Sequence, residues 1–251
     1  MKPVIGILEA LKINDENKPY NNYYKLTNLY VDRIVENGGL PLGIISADDE
    51  ILNKCDGFLL PGGNRITKDH YKIIEYAIKN NKPLLGICAG MQSLVMYDYL
   101  YNECLKNNDN PNYNDLYNKY KELEKNDVSI LKKVENHGGD LSSGTMDATL
   151  DNIKKSMHNI IINKDSILYS IYNKDLIDVI SMHGYGVYNT TGLFIPIAYS
   201  DDKVLEAVQY KDKFILGLQF HIELEKDNLI MKNFIEMCKK IIWLNKNYVL
   251  V

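Results

Sequence analysis

The sequence lacks any long apolar run, and no segment approaches the roughly 20 apolar residues that a membrane-spanning helix needs. It also lacks an excess of positive charge, because its formal net charge at pH 7 is −4. Nucleic acids and anionic membranes attract basic surfaces, so we expect neither as a partner. The opening residues 1–8 are too short and too soon polar for a signal peptide, and they fit a buried strand better. We therefore expect a cytoplasmic protein.

Cysteine is scarce, with four residues at Cys55, Cys88, Cys104 and Cys238. None forms a Cys-x-x-Cys pair, and no cluster of cysteine and histidine has zinc-site spacing. Because no secretion signal is recognised, we expect a reducing compartment and free thiols rather than disulfides.

The first part of the chain alternates between strand-like and helix-like segments. Strands are predicted at 4–8, 40–45, 57–60 and 83–87, with helices at 24–37, 49–53 and 68–80 between them. This alternation predicts a parallel sheet that helices cover on both faces. After residue 155, strands are predicted at 159–163, 177–182, 205–210 and 214–220, followed by a closing helix at 228–243. The predicted fold class is α/β, a flavodoxin-like, mostly parallel sheet with flanking helices and a smaller β-rich part late in the chain.

Nothing in the sequence resembles an interdomain linker, so we expect one domain over residues 1–251. A polar segment at about 97–135 interrupts it, with a loop-like stretch at 107–112 and a predicted exposed helix at 115–125. One interpretation is a solvated insertion without chemistry, since surface loops tolerate insertion. The other is a lid over the functional site or a surface for a partner.

A cysteine stands between glycines in the heptapeptide Gly-Ile-Cys-Ala-Gly-Met-Gln at 86–92, directly after a predicted strand. Small residues permit the sharp strand-to-helix turn that exposes a nucleophile at the top of an α/β sheet. The helix that follows would place Cys88 in a field that favours a thiolate. Ligands of parallel sheets bind beyond the carboxyl ends of the strands, where both Cys88 and the pair Gly62-Gly63 fall.

A cysteine nucleophile needs a base and a group that orients the base, and His221 and Glu223 offer both. Two residues apart in an extended chain, their side chains would share one face. Each element by itself has an ordinary structural explanation. A buried cysteine is more often structural than catalytic, and a His-x-Glu pair usually lies on the surface. Their joint order is what favours catalysis.

Taken together, these motifs resemble the class I glutamine amidotransferase superfamily, and within it most closely the gamma-glutamyl-gamma-aminobutyrate hydrolase branch, peptidase family C26. The resemblance extends over the opening strand at 3–7, the helix and Gly-Gly-x-Pro turn at 30–42, the glycine-rich loop at 56–63, the cysteine elbow and the final His-x-Glu. The segment at 136–141 resembles the branch's Gly-Gly-x-Leu stretch, displaced downstream. His158 matches a histidine that begins the next strand, where a structural or rim position is expected.

The resemblance implies a role for each matching residue. Cys88 would attack the gamma-carbonyl of a glutamyl amide, with His221 as base and then acid, and with Glu223 holding His221. The backbone amides of Gly63 and Ala89 would form the oxyanion hole. The residues implied in substrate binding are Gly62, Gln92, His183, Gly184 and Tyr185. The implied ligand is a small gamma-glutamyl compound or glutamine, with no metal and no organic cofactor.

Three departures from the branch leave the substrate open. Ala89 follows the nucleophile where arginine is common, and His221-Ile222-Glu223 replaces His-Pro-Glu. At 183–185 the chain has His-Gly-Tyr instead of His-His-Gln, which resembles the amidotransferase subunit of carbamoyl-phosphate synthetase more closely.

Three functions therefore remain. The first is a hydrolase of gamma-glutamyl amide bonds that works through a cysteine thioester. The second is a glutamine amidotransferase (glutaminase) subunit that supplies ammonia to a separate synthetase partner. The third is a binding protein without catalysis. The sequence does not distinguish a monomer from a homodimer, and it does not identify the leaving amine.

Overall fold

A computed structural model of the chain describes residues 1–12, 17–63 and 65–248. The strands are β1 (Val4–Leu8), β2 (Ala10–Lys12), β3 (Tyr23–Lys25), β4 (Leu40–Ile44), β5 (Gly57–Leu60), β6 (Leu84–Ile87), β7 (Lys132–Lys133), β8 (Met157–Ile162), β9 (Leu176–Ile180), β10 (Tyr185–Gly186), β11 (Phe194–Ser200), β12 (Leu205–Tyr210) and β13 (Ile215–Leu218). The α-helices are α1 (Asn28–Glu36), α2 (Asp49–Lys54), α3 (Lys68–Lys79), α4 (Ala89–Leu105), α5 (Tyr113–Lys125), α6 (Gly139–Ser143), α7 (Leu150–Lys155), α8 (Ile167–Tyr172) and α9 (Leu229–Tyr248). Short 3-10 turns lie at Pro19–Asn21 and Ile222–Leu224.

One sheet of nine strands, in the order β4-β1-β5-β6-β13-β12-β11-β8-β9, organises the molecule. The strands from β4 to β13 in this order pair in parallel, and the remaining neighbours pair antiparallel. The predicted α/β class is confirmed. The late β-rich part is the antiparallel continuation of the same sheet. Strand β13 joins the parallel and antiparallel halves and lies beside β6, the strand that precedes Cys88.

Two apolar layers cover the two faces of the parallel strands. Phe58 and Leu59 are neighbours on β5 and are both fully buried, but they belong to opposite layers, as the alternation of side chains along a strand requires. Helices α3 and α4 contribute residues such as Ile74 and Leu94 to one layer, and α1 and α9 contribute Ile34 and Phe234 to the other. Each such side chain stabilises the fold by about 1.5–3 kcal/mol relative to exposure.

The first helix begins later than the sequence pattern predicts. The pattern places it at 24–37, whereas Tyr23–Lys25 is a strand paired with Ala10–Lys12 and the helix runs over Asn28–Glu36. Thr27 has extended backbone angles at the helix N-cap, with φ −75° and ψ 126°, which sets the boundary.

Strand β11 is absent from the predicted strands, and it contains Pro196, a residue type that argues against a strand. The structure accommodates Pro196 at a register shift against β12 between Pro196 and Ala198. Helices α6, α7 and α8 also went unpredicted, since five or six residues are too few to show a helical period.

The polar segment is partly packed. Helix α5 buries Leu116 completely, and its rings of Tyr117 and Tyr120 lie with centroids 6.3 and 6.1 Å from that of the buried Tyr71 on α3. The predicted helix at 115–125 is present and begins two residues earlier, at Tyr113. All four cysteines are free. Within the described part of the chain, no helix combines the length and apolar character that crossing a bilayer requires.

Candidate active site

Cys88 occupies the single residue between strand β6 and helix α4. Its backbone has φ 52° and ψ −108°, a region that residues with a side chain rarely adopt, and such strain costs about 1–3 kcal/mol. The N–H of Cys88 donates to the carbonyl of Leu218 on β13 at 2.7 Å, which holds the turn against the next strand. The predicted elbow is therefore present, and the cysteine side chain, 8% exposed, lines a cavity.

Two glycines allow the elbow because α4 starts directly against the sheet. A Cβ on Gly90 would lie 2.0 Å from the carbonyl oxygen of Leu60, and one on Gly86 would lie 2.8 Å from the carbonyl carbon and oxygen of Gly90. Both contacts are with backbone, which cannot rotate away. A side chain at either position would push the helix off the strands.

His221 and Glu223 lie close together just beyond the carboxyl end of β13. The ring Nδ1 of His221 is 2.6 Å from Oε1 of Glu223, and both side chains are buried. The N–H of His221 donates to the carbonyl of Ile180 at 2.9 Å. The prediction that the pair shares one face of an extended strand is wrong. Strand β13 ends at Leu218, and a 3-10 turn over Ile222–Leu224 folds the carboxylate back onto the ring.

In this pair, each side chain stabilises the charged form of the other. Burial acts to lower the pKa of His221, but the Glu223 carboxylate and the neighbouring Cys88 raise it, and the pKa lies well above its usual value. Burial acts to raise the pKa of Glu223, but His221 and the hydroxyl of Tyr30 act to lower it, and the pKa lies below its usual value. The favoured state at neutral pH is an imidazolium next to a carboxylate.

Tyr30, on the buried face of α1, is a residue of the site that sequence reasoning missed. Its hydroxyl donates to Oε1 of Glu223 at 2.9 Å and accepts from the N–H of Gly62 at 3.0 Å. Burial and the Glu223 charge raise the pKa of Tyr30 well above its usual value, which keeps the hydroxyl protonated. A tyrosine at a core position of a helix carries no signal that separates this role from packing.

The side chains of the site converge on Gly62. A Cβ at Gly62 would lie 3.1 Å from Cε1 of His221, 3.3 Å from the hydroxyl of Tyr30 and 3.4 Å from Cβ of Cys88. Among the described residues, Nε2 of His221 has no hydrogen-bond partner, although Cys88 is close enough to raise the pKa of His221. The structure thus brings together the cysteine, the histidine and the carboxylate, and it leaves the second ring nitrogen available to exchange a proton with sulfur.

Gly63 and Ala89 line the same cavity as Cys88. Ala89 is the first residue of α4, where a backbone N–H has no acceptor inside its own helix. Gly63 follows the carboxyl end of β5, beside the elbow. Both predicted oxyanion donors therefore belong to residues that line the same cavity as Cys88.

The cavity has a volume of about 1100 Å³. Of the residues predicted to bind substrate, those that line it are Gln92, His183, Gly184 and Tyr185. Gln92 donates both amide hydrogens, to the carbonyl of Tyr185 at 2.8 Å and to Oε1 of Gln219 at 3.2 Å, so its own oxygen is left as an acceptor. Gly62 is not among the described lining residues, and its N–H is bound to the Tyr30 hydroxyl.

The polar segment forms one wall of this cavity. Tyr120, Leu123 and Glu124 of α5 line it, together with residues 127–131 that follow the helix. Arg65, close to the glycine-rich loop, also lines the cavity. Of the two interpretations of the segment, the solvated insertion without a link to the site is the less consistent with this position.

The sequence profile of the Peptidase C26 family matches residues 68–223, which is more than half of the chain and includes Cys88, His221 and Glu223. A glutamine amidotransferase-like protein of Rickettsia prowazekii is 26% identical, over 90% of this chain and 93% of its own. A CTP synthase of Clostridium beijerinckii is 28% identical over 97% of this chain, which spans 42% of that protein.

Two solved structures have a similar fold. The glutaminase domain of Trypanosoma brucei CTP synthase, with bound acivicin, superposes with a TM-score of 0.64 at 16% identity, over 95% of this chain and 94% of that one. A GMP synthase subunit from Thermoplasma acidophilum gives a TM-score of 0.60 at 17% identity, over 98% of each chain. At these identities the likeness concerns the fold, which is that of class I glutamine amidotransferase-like domains.

Proposed function

The chain belongs to the Peptidase C26 family, and on that premise we propose that it hydrolyses gamma-glutamyl amide bonds through a thioester on Cys88. The family and the relatives indicate an enzyme of the glutamine amidotransferase type. The observation that supports the chemistry is the convergence of Cys88, His221 and the 2.6 Å His221–Glu223 contact beside the cavity.

Before the substrate reacts, the Cys88 proton lies on Nε2 of His221, a position that the raised pKa of His221 favours. The thiolate attacks the gamma-carbonyl, and the imidazolium then gives its proton to the leaving amine as the carbon–nitrogen bond breaks. Water adds to the thioester while His221 takes its proton. The carbon–sulfur bond breaks, glutamate leaves after its new carboxyl group releases a proton to solvent, and the Cys88 thiolate is restored beside the protonated His221.

Negative charge develops on the carbonyl oxygen in both tetrahedral intermediates. The N–H groups of Gly63 and Ala89 would receive this oxygen, and each donor contributes about 2.7–4 kcal/mol in comparable sites. In the pocket, Oε1 of Gln92 is an acceptor suited to the alpha-ammonium group of the glutamyl unit. The backbone at 183–185 would bind the rest of that unit.

The size of the cavity favours a hydrolase of extended substrates. At about 1100 Å³ it lies just above the roughly 300–1,000 Å³ that small-molecule pockets occupy. Free glutamine would fill only a small part of it. The wall that α5 and residues 127–131 supply leaves room for an amine or a peptide attached to the gamma-carbonyl.

The alternative is a glutaminase subunit that supplies ammonia to a separate synthetase. The observation that favours it is the match to CTP synthase, which extends over 97% of this chain and 42% of the relative. Such a subunit would share the Cys88 chemistry but would release ammonia efficiently only beside its partner.

An assay of the purified chain with glutamine, gamma-glutamyl amines and gamma-glutamyl peptides separates these functions. The proposal predicts that kcat/KM for an amine or a peptide exceeds that for glutamine at least about tenfold. This ratio corresponds to a difference of about 1.4 kcal/mol in transition-state free energy. Glutaminase activity that arises only after a synthetase is added would favour the alternative. The binding-protein hypothesis would gain support from the absence of turnover together with no reaction of Cys88 with a glutamine-like diazo-ketone.

A further inference from the structure

Three of the five histidines of the chain surround one carboxylate outside the proposed catalytic residues. Glu206 on β12 is completely buried, and His137 and His183 are each only 3% exposed. His158 lies on β8, which is not a direct neighbour of β12 in the sheet. The group therefore assembles residues that are far apart in sequence.

A single oxygen of Glu206 faces all three rings. Its Oε1 lies 3.2 Å from Nδ1 of His137, 3.3 Å from Nε2 of His158 and 3.6 Å from Nε2 of His183. The ring of His137 stands with its centroid 4.5 Å from that of His158 and 4.7 Å from that of His183. One nitrogen of each ring thus points towards the carboxylate oxygen.

The atoms at the centre of this cluster lack hydrogen bonds. Among the described residues, neither oxygen of Glu206 has a hydrogen-bond partner, and the same holds for the nitrogens of His137, His158 and His183 that face it. The three rings lie at ion-pair distance from this buried carboxylate without hydrogen-bond geometry, and proteins satisfy such groups with a cation or a proton.

The outer nitrogens of two rings fix which inner nitrogens carry lone pairs. Nε2 of His137 lies 3.2 Å from the Asp202 carboxylate, and Nδ1 of His183 lies 3.0 Å from the carbonyl of Tyr185. Both partners are acceptors, so once a cation occupies the space beside Glu206 these outer nitrogens can carry the ring protons. Histidines that bind metals are held in this way, by a carboxylate or a carbonyl on the far nitrogen.

We propose that Nδ1 of His137, Nε2 of His158 and Oε1 of Glu206 bind a divalent transition-metal ion of the zinc class, with Nε2 of His183 beside the remaining position. The first three atoms all lie within 4.8 Å of one another. A tetrahedral ion with bonds of about 2.0–2.2 Å separates its ligands by roughly 3.3–3.6 Å, close to the nitrogen–oxygen distances seen here. Imidazole and carboxylate ligands suit zinc.

Such an ion would tie the wall of the cavity to the sheet. The carbonyl of His137 accepts from the N–H of His183 at 2.8 Å and from the hydroxyl of Ser181 at 3.0 Å, and the next residues, Gly138 and Gly139, line the cavity. The ion would therefore hold the pocket segments at 137–139 and 181–183 in place without touching the proposed catalytic residues. The ligands come from three distant parts of the sequence, which is why no zinc spacing is visible there.

The test uses the purified full chain after removal of metals with a chelator. Zn²⁺ titration against a chromophoric chelator is expected to give one ion per chain and a raised thermal midpoint, and Co²⁺ is expected to give the visible absorption of a four-coordinate site. Glu206→Gln and His158→Gln should weaken Zn²⁺ binding at least about 100-fold. Cys88→Ser should leave it unchanged, which separates this site from adventitious binding to the thiol.

Because the buried substitutions can also disturb folding, an exposed position provides the second test. The side chain of Asp202 is 55% exposed and supports the His137 ring, so Asp202→Asn should weaken Zn²⁺ binding by about 10–100-fold. Its neighbour Asp201 is the matched control, and Asp201→Asn should have no effect. The proposal is overturned if wild type binds neither metal, or if Asp202→Asn and Asp201→Asn bind Zn²⁺ equally. These readouts need no enzymatic activity, so they are independent of the proposed reaction.

Discussion

The hydroxyl of Tyr30 donates to Oε1 of Glu223 at 2.9 Å, and the same hydroxyl accepts from the N–H of Gly62 at 3.0 Å. One side chain of α1 thereby connects the carboxylate that holds His221 to the glycine-rich loop that precedes Gly63. The orientation of the base and the position of a proposed oxyanion donor depend on the same residue. Tyr30 is therefore a positioning residue.

Tyr30→Phe is expected to lower kcat by roughly 10–100-fold with little change in KM, because a hydrogen bond to a charged group contributes about 1.5–3 kcal/mol. Loss of the hydroxyl leaves the N–H of Gly62 and the Glu223 carboxylate each short of one partner. Steady-state kinetics on a gamma-glutamyl substrate measures the effect.

Tyr71→Phe is the matched control for that variant. Tyr71 is buried like Tyr30, but among the described residues its hydroxyl has no hydrogen-bond partner. Its removal should leave kcat unchanged. Equal effects of the two substitutions would mean that Tyr30 contributes packing alone.

Glu223→Gln is expected to change the pH dependence of activity. In wild type the raised pKa of His221 keeps the ring protonated at neutral pH. The alkaline limb of the pH profile of kcat/KM should therefore have its midpoint above 6.5, the ordinary pKa of histidine. With the carboxylate gone, burial remains and lowers the pKa of His221. The alkaline limb should move to lower pH by about 1 unit or more. Glu225→Gln, which changes a nearby carboxylate, should leave the limb in place, and an unshifted limb in Glu223→Gln would contradict the assignment.

The same pair gives a prediction for stability. Glu223 has a lowered folded-state pKa, so its contribution is present above its ordinary value of 4.5 and is lost as pH falls through the folded value. His221 has a raised folded-state pKa, so its contribution is complete below 6.5 and is lost as pH rises through the folded value. Urea unfolding measures the free energy of unfolding of each protein. The value for wild type should exceed that for Glu223→Gln by the largest amount between about pH 4.5 and 6.5. A difference that is constant from about pH 3 to 9 would exclude the ion pair.

Gly90→Ala is expected to destabilise the fold by about 3 kcal/mol or more, since the added carbon would lie 2.0 Å from the carbonyl oxygen of Leu60. Gly184→Ala is the control, because its Cβ would meet only Cα of Gly139, at 3.6 Å. Denaturant unfolding of both variants measures the difference. If the midpoint urea concentration for unfolding of Gly90→Ala equalled that of wild type, the close contact between α4 and β5 would not exist in solution.

Local sequence patterns were sufficient for the first four predicted strands of the large sheet and the elbow at Cys88, because each depends on residues that are near one another in the chain. The sequence indicated His221 and Glu223 as a pair but not the 3-10 turn that brings their side chains together. Strand β11 was not predicted. Its Pro196 weakens the strand pattern in the sequence, and the register shift that accommodates this proline is visible only in the folded sheet. The sequence did not predict the roles of Tyr30 and of the cluster around Glu206 for a different reason. Their partners lie far away in sequence, and only the folded sheet brings them together.

The central claim is that Cys88 carries the gamma-glutamyl group. The most direct measurement follows hydrolysis of a gamma-glutamyl amide by wild type and Cys88→Ala, with acid quench and mass analysis of the peptide that contains residue 88. We expect a glutamyl adduct on wild-type Cys88 and a rate for Cys88→Ala lower by about 10⁴-fold or more. Hydrolysis by Cys88→Ala at the wild-type rate, with the adduct absent from residue 88, would contradict the account.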